Sequence, residues 1–209
     1  MNPHDALTRL RAGNERFVAN VRSVDSLLGQ SARRALVPAQ APVAIVVSCS
    51  DSRAPAELLF DQGLGDLFVV RVAGNVLDPV VTGSVEFAAE TFGTALVVVM
   101  GHSHCGVIAT TVDRLVTGAA ASSNVKEIVD RIRVAIEGVV RPAFSAPGAA
   151  REALLEEAAR ANVSHSARRL RAESALLAAR IEQGRLRVVG AQYSLETGRV
   201  DFFDGAAGA

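Results

Sequence analysis

Residues 42–53 read Pro-Val-Ala-Ile-Val-Val-Ser-Cys-Ser-Asp-Ser-Arg, an apolar run that changes abruptly to polar residues. Residues 43–47 have no polar face, which predicts a strand buried on both sides, as in a parallel sheet. Polar side chains begin where the apolar run ends. In an extended segment, alternate residues share one face, so Cys49, Asp51 and Arg53 can meet at one point. We therefore expect a buried strand that carries a polar site at its carboxyl end.

A second motif, His102-Ser103-His104-Cys105, follows another apolar run at residues 95–101. A helix is predicted to begin near Cys105, and the dipole at a helix N-terminus favours a thiolate. Open α/β sheets bind their ligands at the carboxyl ends of strands, where both motifs lie. The two motifs are therefore expected to face each other.

Together the motifs supply two thiolates, one imidazole and one carboxylate, which is a complete tetrahedral ligand set for Zn²⁺. Both cysteines of the chain lie in these motifs. An isolated buried cysteine is usually an inert small hydrophobe, but the combination favours a metal site. Of the two histidines, His102 is the predicted ligand and His104 is not.

The zinc could be structural or catalytic. A carboxylate is a weaker, exchangeable ligand than a thiolate or an imidazole, and Arg53 offers Asp51 a bidentate ion pair instead. If Asp51 moves from zinc to Arg53, a coordination position opens for water. This exchange favours a catalytic zinc.

Composition indicates one globular domain with no net charge that would attract a polyanion. The chain has 209 residues, 49% hydrophobic residues and zero formal net charge, so neither nucleic acid nor an anionic membrane is expected as a partner. The apolar runs are too short for a transmembrane helix, and the N-terminus lacks the apolar segment of a signal peptide. We expect a cytoplasmic protein with reduced thiols.

Strands alternate with helices along the chain, which predicts an α/β domain over residues 1–209. A helix near the N-terminus carries an apolar stripe of Leu7, Leu10 and Phe17, which needs a partner surface. The long helical segment is expected to break near Asn162. The predicted parts are an N-terminal helical arm at 1–41, a zinc-site α/β core at 42–141, a helical segment at 142–183 and two C-terminal strands at 184–205.

These motifs resemble the β-class carbonic anhydrases, and the resemblance covers about residues 5 to 203. Besides the two ligand motifs, the matching residues are Phe68-Val69-Val70-Arg71, Ala73-Gly74-Asn75, Gly83-Ser84 with Glu86, Gly106, and Gly190 with Tyr193.

The resemblance implies a mostly parallel sheet of four strands, extended by an antiparallel edge strand and flanked by helices. It implies that the N-terminal helix packs on a partner subunit, in a homodimer or in a dimer of dimers (a homotetramer). The implied reaction is reversible hydration of CO₂ to bicarbonate and a proton, by attack of zinc-bound hydroxide. One Zn²⁺ per chain is expected.

The resemblance also implies roles for individual residues. Cys49, His102 and Cys105 would hold zinc, with Asp51 as a fourth ligand whenever it is not paired with Arg53. Asp51 would accept a hydrogen bond from the reacting water or hydroxide, and Arg53 would orient it. The remaining implied substrate contacts are Gln40 as a catalytic hydrogen-bond donor, Phe68 in the pocket wall and the backbone N–H of Gly106. Ordinary core packing for Phe68 and a plain loop position for Gln40 remain open.

Some members of this family hold bicarbonate in a non-catalytic pocket made by a tryptophan, an arginine and a tyrosine. The tryptophan position is Val46 here, while Arg71 and Tyr193 match the other two. His104 and His165 are candidates for a proton shuttle. Two alternative functions remain open: hydrolysis of carbon disulfide or carbonyl sulfide on the same scaffold, and a non-catalytic zinc-stabilised regulatory protein.

Overall fold

One five-stranded sheet forms the centre of the protein, in a computed structural model that describes residues 1–23, 30–119, 122–140 and 148–206. Its spatial order is β2-β1-β3-β4-β5, and all neighbouring pairs are parallel except the antiparallel pair β4–β5. The strands are β1 (Ala44–Ser48), β2 (Leu67–Arg71), β3 (Leu96–His102), β4 (Arg187–Tyr193) and β5 (Val200–Asp204). The predicted sheet, with four parallel strands and an antiparallel edge strand, is confirmed.

Helices cover both faces of this sheet, which is why β1 and β3 carry almost no polar side chains. Every residue of β1 and β3 is buried, as expected for strands that are covered on both sides. The helices are α1 (Pro3–Val18), α2 (Gln30–Ala35), α3 (Ala56–Leu59), α4 (Pro79–Thr91), α5 (Gly106–Thr117), α6 (Ser123–Ile136), α7 (Ala149–Glu173) and α8 (Ala175–Glu182). A 3₁₀ turn, Ala73–Asn75, follows β2.

The apolar face of α1 is covered by the chain's own sheet. Leu7 and Leu10 are fully buried in one cluster with Val46 of β1 and Val98 of β3. The helix begins at an Asn2 cap, whose side chain accepts a hydrogen bond from the backbone N–H of Asp5. The fold of one chain therefore already removes these leucines from water. The expected contact of this helix with a partner subunit stays a prediction.

The long helical segment breaks at Ser174, between α7 and α8, and not near Asn162. Ser174 leaves the helical conformation and caps α8, because its hydroxyl accepts a hydrogen bond from the N–H of Leu177. Asn162 lies in the interior of α7, where its side chain has a buried partner outside the helix. Among the described residues, no helix is both long and apolar enough to cross a membrane.

Candidate metal centre

Three buried ligand side chains converge at the carboxyl ends of β1 and β3. The ligand atoms of Cys49, His102 and Cys105 all lie within 4.8 Å of one another. Parallel pairing of β1 with β3, with Ser48 opposite Met100, brings the two strand ends side by side. Cys105 is the N-cap residue of α5, so the strand-to-helix turn returns it to the same point. This is the ligand group predicted from the sequence, and His104 is not part of it.

The imidazole of His102 is oriented for metal binding. Its Nδ1 lies 2.8 Å from the carbonyl oxygen of Ser103, and a carbonyl only accepts, so Nδ1 carries the proton. Nε2 then presents a lone pair toward the cysteines. This atom is buried and has no hydrogen-bond partner. A buried, unpaired imidazole nitrogen between two thiols fits Zn²⁺, for which nitrogen and sulfur are the preferred ligands.

The two thiols cannot both ionise easily without a cation between them. A hydrogen bond from Cys105 is the main reason that the pKa of Cys49 is lowered to about 4. The backbone N–H of Gly74, 3.4 Å from Cys49 Sγ, is a further donor that lowers the same pKa. The pKa of Cys105 is raised, because its proton is held by Cys49 and because the side chain is buried. A divalent cation would stabilise both thiolates at once.

Asp51 lies beside this cluster, paired with Arg53. Nε and Nη2 of Arg53 donate hydrogen bonds of 2.9 and 2.8 Å to the two carboxylate oxygens, and the Arg53 backbone N–H adds a third of 2.9 Å. These contacts hold the pKa of Asp51 well below its usual range. Oδ2 of Asp51 is 3.9 Å from Nε2 of His102. The carboxylate therefore remains ionised next to the metal-binding group while it is paired with arginine.

Two arginines fix the loop that carries these residues. Nη2 of Arg53 also donates to the carbonyl oxygen of His104, at 3.2 Å, which ties the first motif to the second. Arg71, at the end of β2, donates to the carbonyl oxygens of Cys49 and Asp51, at 3.2 and 2.6 Å. Arg71 thus holds the backbone on both sides of Ser50. The sequence motifs gave no indication of this contact.

His104 belongs to a polar network at the rim of the site. Its Nε2 contacts the carboxylate of Glu196, in the turn between β4 and β5. Ser103 and Ser194 also donate to Glu196, at 2.9 and 2.8 Å. Hydrogen bonds from its own backbone N–H and from these side chains lower the pKa of Glu196 to about 2. These contacts hold the segment between His102 and Cys105, the two ligands of the second motif, against the β4–β5 turn.

The predicted substrate contacts lie in three places. Gly106 is the first residue of α5, next to the cluster. Gln40 is exposed and lines a surface cavity of about 590 Å³ with Leu64 and Phe92, before β1 begins. Gln40 and Cys49 thus lie beyond opposite ends of β1, a five-residue strand about 17 Å long. Phe68 packs on Phe92, with ring centroids 6.0 Å apart, on edge strand β2.

The three residues at the positions of the bicarbonate pocket are adjacent but differently used. Val46 and Tyr193 are buried in one apolar cluster, and burial raises the pKa of Tyr193. Arg71 directs its guanidinium to the backbone carbonyls described above. His165, the second shuttle candidate, lies on α7 beside Arg168. Whether an anion binds at Val46, Arg71 and Tyr193 stays a prediction.

The sequence interpretation missed the turn that supports Cys49. The Gly74-Asn75 pair is a turn signal, and both residues adopt positive φ angles, of 70° and 43°. That conformation points the Gly74 N–H at the Cys49 sulfur. The signal was in the sequence, but its target was not, because the turn and Cys49 are brought together only by the pairing of β1 with β2.

Comparison with known proteins agrees with this geometry. The family model described as carbonic anhydrase matches residues 44–200. A carbonic anhydrase of Mycolicibacterium smegmatis is 38% identical over 200 residues, which cover 96% of this chain and 93% of the relative. The solved structure of the beta-carbonic anhydrase CcaA has a TM-score of 0.74 and 25% identity, covering 95% of each chain.

A further solved structure, described as one of two tetrameric beta-carbonic anhydrases from Sordaria macrospora, has a TM-score of 0.72 and 20% identity. The match covers 96% of this chain and 95% of the chain in that structure. At that identity the likeness concerns the fold alone. The relatives, the family match and the buried Cys-His-Cys group lead to the same conclusion: this chain belongs to the β-class carbonic anhydrase family, as a zinc enzyme that hydrates CO₂.

Proposed function

We propose that one zinc ion is held by Cys49, His102 and Cys105, and that Asp51 and Arg53 orient the water that attacks CO₂. The observation that carries this assignment is the buried, unpaired Nε2 of His102, within 4.8 Å of both sulfurs and 3.9 Å from Asp51. Zinc, when bound, acts as a Lewis acid that makes water nucleophilic near neutral pH. The other steps belong to residues of the chain.

Asp51 acts as the hydrogen-bond acceptor for the reacting water. Its carboxylate is ionised, because Arg53 lowers its pKa, and it lies at the edge of the cluster with one oxygen toward His102. Arg53 itself is half exposed but is tied to the backbone of His104. The pair therefore keeps an acceptor in a fixed orientation, while the N–H of Gly106, at the positive end of α5, supports the bicarbonate anion.

A homodimer formed through the β2 edge would complete the site. Within the described part of the chain, the outer edge of β2 pairs with no other strand. Large apolar side chains are exposed beside it, including Val80 and Phe87 of α4, at 77% and 53% of their surface. An unpaired strand edge flanked by apolar surface is a typical self-association site. The tetrameric relatives support a dimer of such dimers.

The dimer would also bring Gln40 to the zinc of the other subunit. A two-fold axis makes two β2 edges antiparallel, so the start of one strand meets the end of the other. Gln40 lies by the residues that precede β2, and Asp51 is held by Arg71 at the end of β2. Gln40 of one subunit would then donate a hydrogen bond to the substrate bound by its partner. Phe68, on the same edge, would line that pocket.

Reduced thiols in the ligand set support a cytoplasmic location, where disulfides are rare.

The test is stopped-flow CO₂ hydration across about pH 6.5 to 9, with zinc measured on the same sample. Asp51→Ala should keep one zinc per chain and lose about 10²- to 10⁴-fold in kcat. Asp51→Asn is the matched variant, since it keeps the shape but not the charge. Loss of zinc in both variants, or full activity in either, would contradict the assigned role of Asp51.

A further inference from the structure

The long helix α7 carries two buried polar side chains that the proposed chemistry does not use. Asn162 and Ser166 are each 2% exposed and lie one helical turn apart. The Asn162 carboxamide donates a 2.8 Å hydrogen bond to the carbonyl oxygen of Gly74, and the Ser166 hydroxyl donates one of 3.3 Å to that of Asn75. Residues four apart share a helix face, so α7 contacts two consecutive peptide groups of the 3₁₀ turn.

One residue of this turn, Asn75, has a backbone conformation that its surroundings must hold. Gly74 and Asn75 have φ angles of 70° and 43°, and only the first is a glycine. A Cβ on Gly74 would lie 2.7 Å from Ile132 Cδ1 and 3.1 Å from Val107 Cγ1, so α6 and α5 also close on the turn. Strained backbone persists only where neighbouring structure determines it. The two hydrogen bonds from α7 are the polar part of that support.

The turn in its present conformation serves Cys49. The N–H of Gly74 lies 3.4 Å from Cys49 Sγ, and the carbonyl of the same residue accepts from Asn162. The two groups are separated only by the φ and ψ angles of Gly74, so a hydrogen bond that anchors the carbonyl restrains the direction of the N–H. A hydrogen bond to a metal ligand fixes the orientation of that ligand, so the sulfur is already directed at the metal position before the metal binds.

Two glycines in the sheet allow α7 to reach this position. A Cβ on Gly101 would lie 2.7 Å from Val163 Cγ2, and a Cβ on Gly190 would lie 2.9 Å from Val163 Cγ1. Val163 can therefore rest directly on β3 and β4. Val163 thus contacts Gly101, the residue that precedes His102, and the adjoining Asn162 reaches the carbonyl of Gly74.

We propose that Asn162, supported by Ser166, is a positioning residue for the Cys49 thiolate. It holds the Gly74 N–H on the sulfur and so strengthens the grip of the site on zinc. This gives the helical segment after residue 148 a role in the metal centre beyond covering the sheet. The proposal rests on the zinc site and on no step of CO₂ hydration.

The test compares zinc binding in Asn162→Ala and Asn162→Asp, the second of which keeps the shape but removes the donor. Competition with a chelator gives the zinc dissociation constant, and the sulfur-to-cobalt charge-transfer band of the Co²⁺-substituted protein reports on the thiolate. We expect zinc binding about 10- to 100-fold weaker, with a shifted band, in both variants. Ser166→Ala should show the same changes to a smaller extent.

The matched control is Leu170→Ala, in the same helix. Leu170 is 1% exposed and packs against the sheet, in a cluster that does not include Cys49. This variant should lower the melting temperature and leave the zinc dissociation constant and the band unchanged. Leu170→Ala weakening zinc as much as Asn162→Ala would overturn the proposal, as would wild-type zinc binding and an unshifted band in both Asn162 variants.

If Asn162→Ala does not fold, Asn162→Asp and Ser166→Ala carry the same comparison with the same two readouts. Failure of the wild-type zinc protein to hydrate CO₂ would count against the proposed catalytic roles but would leave this comparison intact.

Discussion

Two regions beyond opposite ends of β1 differ in what one chain supplies. At the carboxyl end, Cys49 and Asp51 have their partners within the chain, whereas Gln40, which precedes the amino end of this strand, is exposed. The first region is built by local rules: a buried strand ends, polar residues follow, and neighbouring strand ends converge. In the proposed dimer, the second region is completed only by the partner subunit. Metal binding would then be a property of one chain, and full catalysis a property of two.

The largest expected effect is the loss of a zinc ligand, which tests whether one chain binds the metal as described. His102→Ala should lose nearly all zinc and at least about 10³-fold in kcat/KM, because metal activation of water contributes several kcal/mol. His104→Ala is the control: its side chain contacts Glu196, and only its backbone serves Arg53. Zinc analysis and stopped-flow assays of both variants check this. Equal zinc loss in the two variants would contradict the ligand assignment.

Separating the subunits tests whether full catalysis needs two chains. Phe87→Asp places a charge on the exposed apolar surface beside β2, so sedimentation should show a monomer that still binds one zinc. Without the partner's Gln40, kcat/KM should fall about 10- to 100-fold, the effect of losing one or two hydrogen bonds to substrate. Val134→Asp, at a similarly exposed position on α6, should stay dimeric. A fully active Phe87→Asp monomer would show that one chain suffices.

Gln40→Ala sharpens the comparison by changing the donor alone. We expect about a tenfold loss in kcat/KM, with zinc content and oligomeric state unchanged, because one hydrogen bond to the substrate is removed. Assays and sedimentation on the same preparation check this. An unchanged rate would make Gln40 an ordinary loop residue.

The smallest expected effect concerns Glu196, which contacts His104 beside the metal site. The folded-state pKa of Glu196, about 2, is below its ordinary value of 4.5, so its contribution to stability is present above about pH 4.5 and is lost as the pH falls toward 2. Glu196→Gln should therefore lower the melting temperature at pH 7 by about 2 °C or less, since the side chain is half exposed. The deficit should shrink by pH 3.

Thermal melts at both pH values, with the exposed Glu90→Gln as control, check this prediction. A deficit that is equal at pH 7 and pH 3 would mean that the ionised network adds no stability.

The two regions also differ in how far sequence could predict them. The sheet and the Cys49, His102 and Cys105 group follow from apolar runs that end in polar motifs, since strand ends in a parallel sheet meet at one edge. The predicted helix break near Asn162 was wrong. An asparagine is a poor helix former, and its buried acceptor, the carbonyl of Gly74, is 88 residues away and cannot be found from the sequence. The break lies at Ser174 instead, whose signal was an ordinary serine cap.

Contacts between segments far apart in the chain also could not be predicted. The hydrogen bonds from Arg71 to the carbonyl oxygens of Cys49 and Asp51 depend on the β1–β2 register, which pairs Ser48 with Arg71. The stripe of α1 predicted a buried face correctly, but an amphipathic pattern does not say which surface buries it. The division of the chain at residues 142–183 stays a prediction.

The most direct test of the central claim is a mixing experiment with Gln40→Ala and Asp51→Ala. If Gln40 serves the partner's site, each heterodimer has one site with both lesions and one with neither. Random re-association makes about half of the dimers mixed, so the mixture should recover about a quarter of wild-type CO₂ hydration. Activity no higher than the mean of the two parent variants, in a sample shown to contain heterodimers, would contradict a site shared between two chains.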